Sequence, residues 1–208
     1  MMKKLYALVF GLLLVPALVQ ARTDSAATAF VRQTADTVIT DILSADISQD
    51  EKLTRFRAVY VQALDLKAIG QFVLGVYWKK ATPADRTAFL DAFEDFTTKI
   101  WADRFNLYNG ERLTFTGERT EKNSIYITSQ FPHNPPVEII WRLRAKADTY
   151  RIVDIIVEGV SMAMSYRNEY TTFLQSHGGS VPALTAELKQ KSDAFVWGQA
   201  QKEAKNKK

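Results

Sequence analysis

The sequence predicts an α+β fold in which helices pack on one face of an antiparallel meander sheet of about four strands. Three observations support this prediction. Apolar residues recur with the helical period from residue 25 to about residue 107. From residue 112 to residue 157 they alternate with polar residues, as expected for strands with one buried face. After residue 161 the helical period returns and continues to about residue 199.

Four helices are predicted before the strands. The first covers residues 25–43, where apolar residues recur along one face. Ser48 to Glu51 has capping-box spacing and starts the second helix, and residues 65–74 form a third that ends at Gly75. Thr82-Pro83-Ala84-Asp85 opens the longest helix with an N-cap, a proline at the first position and an acid in the first turn. This helix is predicted to end near Leu107, before Asn109-Gly110.

The strands are predicted from four short runs separated by turns. These runs lie at residues 112–116, 125–128, 137–144 and 150–157. The last strand turns at Gly159 into a helix that reaches about Ser176. His177-Gly178-Gly179 breaks that helix, and a final helix is predicted from Ser180 to near Gln199.

The first 21 residues have the pattern of a cleaved secretory signal. Met1 to Lys4 is basic, Leu5 to Val19 is uncharged and apolar, and Val19-Gln20-Ala21 offers small residues for cleavage. The apolar run of 15 residues is shorter than the roughly 20 that span a bilayer. We expect a signal peptide over residues 1–21, one domain over residues 22–200 and a basic disordered tail over residues 201–208. An exported chain without cysteine fits the bacterial periplasm.

The composition argues against several classes of function. Removing the signal leaves 25 basic and 23 acidic residues, a surplus too small to indicate nucleic-acid binding. The absence of cysteine excludes thiol catalysis and cysteine-ligated metals. Neither His133 nor His177 has a partner at metal-ligand spacing. The glycines form no phosphate-binding loop.

One motif favours an enzyme. Gly159-Val160-Ser161-Met162-Ala163 approximates the nucleophile elbow of a serine hydrolase, and Glu169 and His177 follow in the order of a triad. Three features oppose this reading: the second glycine of the elbow is alanine, a meander precedes the motif, and Glu169 and His177 lie far apart on one helix. A helix N-cap explains Ser161 without catalysis.

The apolar residues leave two interpretations open. Met162, Met164, Trp78, Trp141 and the phenylalanines of the long helix lie on elements that should face one another. They either fill a solid core or line an apolar cavity between the sheet and the helices, for which methionine is well suited. Composition and periodicity do not separate the two.

Two stretches resemble the MlaC (toluene-tolerance) family of periplasmic phospholipid-binding proteins. Asp65–Trp78, DLKAIGQFVLGVYW, is similar to the family's D-x-x-x-I-x-x-F-V-L-G-x-Y-W segment. Asp154–Ser161, DIIVEGVS, with Tyr166–Tyr170, YRNEY, is similar to its E-G-V-S segment. Val76 and Met162 depart from the residues common there. The resemblance covers roughly residues 25–195 and extends to a hopanoid-associated branch with the same architecture.

The resemblance implies a lipid carrier with no catalytic residues, no metal and no cofactor other than its phospholipid cargo. It implies two partners, an outer-membrane lipoprotein–porin complex and an inner-membrane ABC transporter with an MCE-domain ring. On this basis the acyl chains are expected between the sheet and the helices, with the mouth near Gly159. Arg167 is expected either at the head group or paired with Asp154 or Glu158. The expected lipid-binding residues are Leu74, Trp78, Phe93, Ile139, Trp141, Val160, Met162, Met164 and Tyr166.

Overall fold

A computed structural model describes residues 24–105 and 111–198. The predicted signal peptide, the predicted helix end at Asn109-Gly110 and the predicted tail lie outside these residues. The helices are α1 (Ala26–Asp36), α2 (Gln49–Ala63), α3 (Leu66–Leu74), α4 (Val76–Lys80), α5 (Pro83–Phe105), α6 (Met162–Ser176) and α7 (Val181–Asp193). The strands are β1 (Thr114–Glu121), β2 (Ser124–Phe131), β3 (Val137–Lys146), β4 (Thr149–Val157) and β5 (Val160–Ser161).

The predicted α+β class is confirmed, with three differences among the helices. The first predicted helix changes at Thr37 from an α-helix into a π-helical segment that ends at Leu43. The short helix α4 was not predicted and follows directly after Gly75. The final helix ends at Asp193, and the prediction of Gln199 was wrong, because the N–H of Phe195 donates to the carbonyl of Ser192, three residues back, and the chain leaves the α-helical pattern there.

The predicted caps of α2 and α5 start these helices where the sequence placed them. The hydroxyl of Ser48 accepts the N–H of Glu51. The carboxylate of Asp65, a cap that was not predicted, accepts the N–H of Ala68 at the start of α3. At the start of α5, Thr82 accepts the N–H of Asp85, whose carboxylate accepts the N–H of Thr82 in return. These local bonds fix the start of each helix independently of the core.

The five strands form one antiparallel sheet in the order β1-β2-β3-β4-β5. The fifth strand was not predicted. It exists because Glu158 and Gly159 both have positive φ, 49° and 77°, and make a two-residue hairpin that returns the chain along β4. The corner after β4 is therefore a tight hairpin, and α6 begins only after it.

The described core has three clusters of buried residues. The helical cluster lies between α3, α5, α6 and α7 and includes Phe89, Phe93 and Tyr170. The sheet cluster joins α1 to the inner face of the sheet. The bridging cluster joins the π-helical segment, α2 and the end of α5. Leu64 packs against all three clusters.

Leu64 is held by a main-chain link between the helices and the sheet. It forms a parallel bridge with Ile152 on β4, and the N–H of Asp65 donates to the carbonyl of Ile152 at 3.0 Å. The connection between α2 and α3 thus extends the edge of the sheet at Ile152 on β4. The strand β5 pairs with the other end of β4, at Ile156 and Val157. The helical layer is attached to the sheet at this point.

A polar network centred on Asp95 joins three helices. Arg57 on α2 and Ser192 on α7 donate to its carboxylate, and Lys99 on α5 donates at 2.9 Å. Burial opposes ionisation of Asp95, but these three donors outweigh it and lower its pKa to about 2. The carboxylate is therefore charged in the folded protein at any pH above that value.

We predict a pH-dependent loss of stability for Asp95→Asn. A depressed pKa stabilises the fold above the unfolded-state value near 3.9, and this contribution is lost as the pH falls through about 2. With a discount for partial exposure, urea unfolding at pH 7 should show a loss of about 1 kcal/mol. The difference should disappear below about pH 2. Asp91→Asn, on the exposed face of the same helix, is the control, and an equal loss in both variants would contradict the role of Asp95.

Candidate functional site

An apolar cavity lies between the inner face of the sheet and the helical layer. Its walls come from α1, the π-helical segment, α2, the end of α5 and strands β2 to β4. Almost all of the residues around it are aliphatic or aromatic. They are Thr34, Ala35, Val38, Ile39, Phe56, Val59, Tyr60, Ala63, Leu64, Trp101, Phe105, Leu113, Phe131, Ile139, Trp141, Ile152 and Ile155.

The cavity is narrow. Its enclosed interior has a volume of about 60 Å³, within an empty space of about 690 Å³ that includes its open side. An interior of that size would hold several waters, but apolar walls offer water too few hydrogen bonds. The cavity is therefore suited to a thin apolar ligand, and a wider one requires the surrounding side chains to move apart.

The polar atom of Trp141 is turned away from the cavity. Its indole N–H donates to the hydroxyl of Ser129 at 2.9 Å, and Ser129 donates to the carbonyl of Ile139. The ring of Trp141 can therefore present its apolar surface to the cavity without leaving a buried donor unpaired.

The two hydroxyl groups of the lining carry no charge. Thr34 donates to the carbonyl of Phe30 at 2.8 Å. Burial raises the pKa of Tyr60 above the usual range, so that the phenol stays neutral. The lining therefore presents no ionised group to a ligand.

A smaller void continues from the cavity toward α6. The two share Tyr60, Leu64, Trp101, Ile152 and Ile155, which form the boundary between them. The far wall of the smaller void includes the predicted residues Phe93, Met162 and Tyr166. Burial raises the pKa of Tyr166 to about 12, so this wall carries no phenolate at neutral pH.

The predicted site residues fall into four groups. Ile139 and Trp141 line the main cavity, and Phe93, Met162 and Tyr166 line the smaller void. Leu74 and Trp78 lie in the helical cluster, because α3 and α4 pack on α5 and α6. Val160, after the hairpin, and Met164, in the first turn of α6, are exposed, with 58% and 44% of their surfaces accessible.

Arg167 binds neither of the carboxylates expected from the sequence. Its guanidinium donates to the carbonyl of Phe72 at 2.6 Å and lies over the ring of the same residue. Asp154 instead accepts the hydroxyl of Ser161 and the N–H of Ala163, and Glu158 accepts the N–H of Glu138. The expected ion pair was wrong, because α6 starts after the hairpin and carries Arg167 to the surface of α3.

The geometry of α6 removes the basis for a serine hydrolase. Ser161 caps its first turn by accepting the N–H of Met164, and His177 lies at its opposite end. Sixteen residues at a rise of 1.5 Å separate the two by about 24 Å. His177 stacks on Phe173, and Glu169 pairs with Lys191 on α7. The three residues do not form a catalytic group.

The sequence did not identify most of the helical wall of the cavity. The helical period places Phe56, Tyr60 and Ala63 on one face of α2, but it does not show what faces them across the gap. It also places Trp101 and Phe93 in one stripe, whereas α5 is long enough to bury Phe93 in the helical cluster and Trp101 in the bridging cluster. The signal that could have found them is the 23-residue length of α5, which exceeds one core cluster.

Within residues 24–105 and 111–198, no helix has an apolar stretch long enough to span a bilayer. The same residues contain no group of three or more histidines and carboxylates placed to hold a metal ion.

Comparison with known proteins gives a consistent result. The fold is similar to the phospholipid-binding protein of Ralstonia solanacearum, whose structure was solved in complex with a phospholipid. The match has a TM-score of 0.71 and 21% sequence identity, and it covers 81% of this chain and 98% of the other. At this identity the likeness concerns the fold alone. The family model described as MlaC protein matches residues 32–190, most of the chain, and the chain therefore belongs to the MlaC family.

Proposed function

We propose that this protein is a carrier that binds the acyl chains of a phospholipid in the cavity between sheet and helices. The observation that carries the proposal is the lining itself, which is apolar on both sides and turns its few polar atoms toward protein partners. Such a surface stabilises a hydrocarbon chain by van der Waals contact and by removing it from water, and it provides few hydrogen-bonding groups for a polar substrate.

Membership of the MlaC family and the bound phospholipid of the Ralstonia solanacearum protein support the same cargo. The physical need for a carrier is clear. Each methylene exposed to water costs about 0.8 kcal/mol, so that a 16-carbon chain costs roughly 12 kcal/mol to expose. A lipid crosses an aqueous space rapidly only if a protein encloses its chains.

We further propose that the protein works in the periplasm after removal of residues 1–21. The lipid would move between an outer-membrane lipoprotein–porin complex and an inner-membrane ABC transporter with an MCE-domain ring. The basic, apolar and small-residue segments of the N-terminus support export, and the family resemblance supports the two partners.

The proposed contacts follow from the walls of the cavity. An acyl chain would lie between Ile139 and Trp141 on the sheet and the rings of Phe56 and Trp101 on the helices. Opening the boundary at Leu64 would extend the space toward Met162, Phe93 and Tyr166. Leu74 and Trp78 would support the site indirectly, by packing within the helical cluster. Val160 and Met164 would contribute from the protein surface, where they are exposed.

We predict that phospholipid copurifies with the protein. Native mass spectrometry and solvent extraction of protein from a bacterial host should detect it at close to one molecule per chain. Delipidated protein should then take up phospholipid from vesicles. Recovery of lipid-free protein only, together with no uptake from vesicles, would exclude the carrier.

We predict that Ala63→Phe blocks the cavity. Ala63 is buried at its wall, and a phenyl ring there would occupy space that an acyl chain needs. If the clash costs as much as typical overpacking, about 1–3 kcal/mol, phospholipid affinity should fall roughly 10- to 100-fold.

The matched control is Ala58→Phe, which makes the same change at an exposed position of α2. It should bind lipid as the unaltered protein does. Circular dichroism of the delipidated proteins checks that both variants are folded. Normal lipid binding by a folded Ala63→Phe protein would mean that the chains lie elsewhere.

A further inference from the structure

A polar groove opens on the surface beside the apolar cavity. We define it by its polar residues Gln33, Thr37, Gln62, Thr149 and Arg151. It lies between α1, the start of the π-helical segment, the end of α2 and the start of β4. Its empty space is about 910 Å³ including its open side.

The polar groove and the cavity have a common wall. Thr34, Val59 and Ala63 line both. A ligand with its polar end in the groove would therefore need to pass only these three side chains for its apolar end to enter the cavity. The hairpin after β4 is different, because Val160 there is exposed and lines neither space.

The chemistry of the polar groove suits an anion. Two amides and two hydroxyls can donate hydrogen bonds, and Arg151 supplies a fixed positive charge. None of the residues that line the groove is an aspartate or a glutamate. A phosphate group would find a cation and neutral donors there with no repelling carboxylate in the lining.

The positive charge of Arg151 is not neutralised by a close ion pair with any carboxylate of the described residues. Its guanidinium donates to the carbonyl of Tyr150 at 2.9 Å, and no carboxylate of the described residues lies within ion-pairing distance of it. The nearby carboxylate of Asp65 pairs with Lys146 at 3.1 Å. The residue opposite Arg151 on β3 is Arg144, a like charge, which is unfavourable in an antiparallel pair.

We propose that the polar groove is the head-group subsite and that Arg151 binds the phosphate of the phospholipid. This proposal rests on the proposed function, since it needs acyl chains in the adjacent cavity. The planar guanidinium of arginine matches phosphate oxygens in a two-pronged geometry, and the amides of Gln33 and Gln62 bind the remaining polar atoms. The subsite recognises the phosphate that phospholipids share.

The test compares two lipids with identical acyl chains, a phosphatidylglycerol and a diacylglycerol, titrated into delipidated protein. Arg151→Gln removes the charge but keeps a polar side chain. Loss of a charged hydrogen-bonding partner should weaken phosphatidylglycerol binding roughly 10- to 100-fold. Diacylglycerol binding should stay within about twofold, because the cavity is unchanged. Arg144→Gln, which alters the neighbouring strand outside the groove, should bind both lipids normally.

Each other outcome overturns the proposal in a distinguishable way. Equal weakening of both lipids would mean that Arg151 supports the fold rather than the phosphate. If Arg151→Gln changed the affinity for neither lipid, the head-group subsite would be excluded. The carrier function would still stand, since the unaltered protein binds both lipids. Failure of the unaltered protein to bind either lipid would defeat the carrier function itself. Binding of inorganic phosphate alone, lost in Arg151→Gln with no effect on lipid, would assign the groove to free phosphate.

Discussion

The arrangement of this protein depends on the main-chain link between Leu64 and Ile152. The N–H of Asp65 bonds to the carbonyl of Ile152, so the connection between α2 and α3 runs along the edge of β4. This link fixes one side of the helical layer to the sheet, and the side chain of Leu64 touches all three core clusters. The cavity lies next to the link, since Leu64 and Ile152 both line it together with residues of α1, α2 and the inner face of the sheet.

The fold tolerates the free-energy cost of the cavity because other buried residues pack closely against one another. Phe89, Phe93 and Tyr170 form an aromatic group within the helical cluster, separate from the sheet. An empty interior of about 60 Å³ costs on the order of 1.5 kcal/mol, which is small beside the stability of a typical domain. A bound acyl chain would restore these lost contacts, and it follows that the loaded protein should be the more stable form.

Local patterns in the sequence were sufficient for the fold class, the caps and most boundaries, because each depends on neighbouring residues. They were sufficient for Ile139 and Trp141 on the sheet side of the cavity, since strand alternation fixes the buried face. They did not reveal the two-residue hairpin that turns Val160 outward, nor the long-range packing that places Trp78 of α4 in the helical cluster. The polar groove was not foreseen either, because Gln33, Gln62 and Arg151 come from three separate elements.

The most direct test of the account is the position of the acyl chains relative to two tryptophans. Trp141 lines the cavity, whereas Trp78 lies in the helical cluster. Variants that retain one of these two residues as their only tryptophan, with Trp101 and Trp197 also replaced, would be loaded with phospholipid carrying bromine on its acyl chains, which quenches indole fluorescence at short range. The account predicts strong quenching of Trp141 and little quenching of Trp78, relative to unbrominated lipid. Equal quenching of both, or quenching of Trp78 alone, would contradict it.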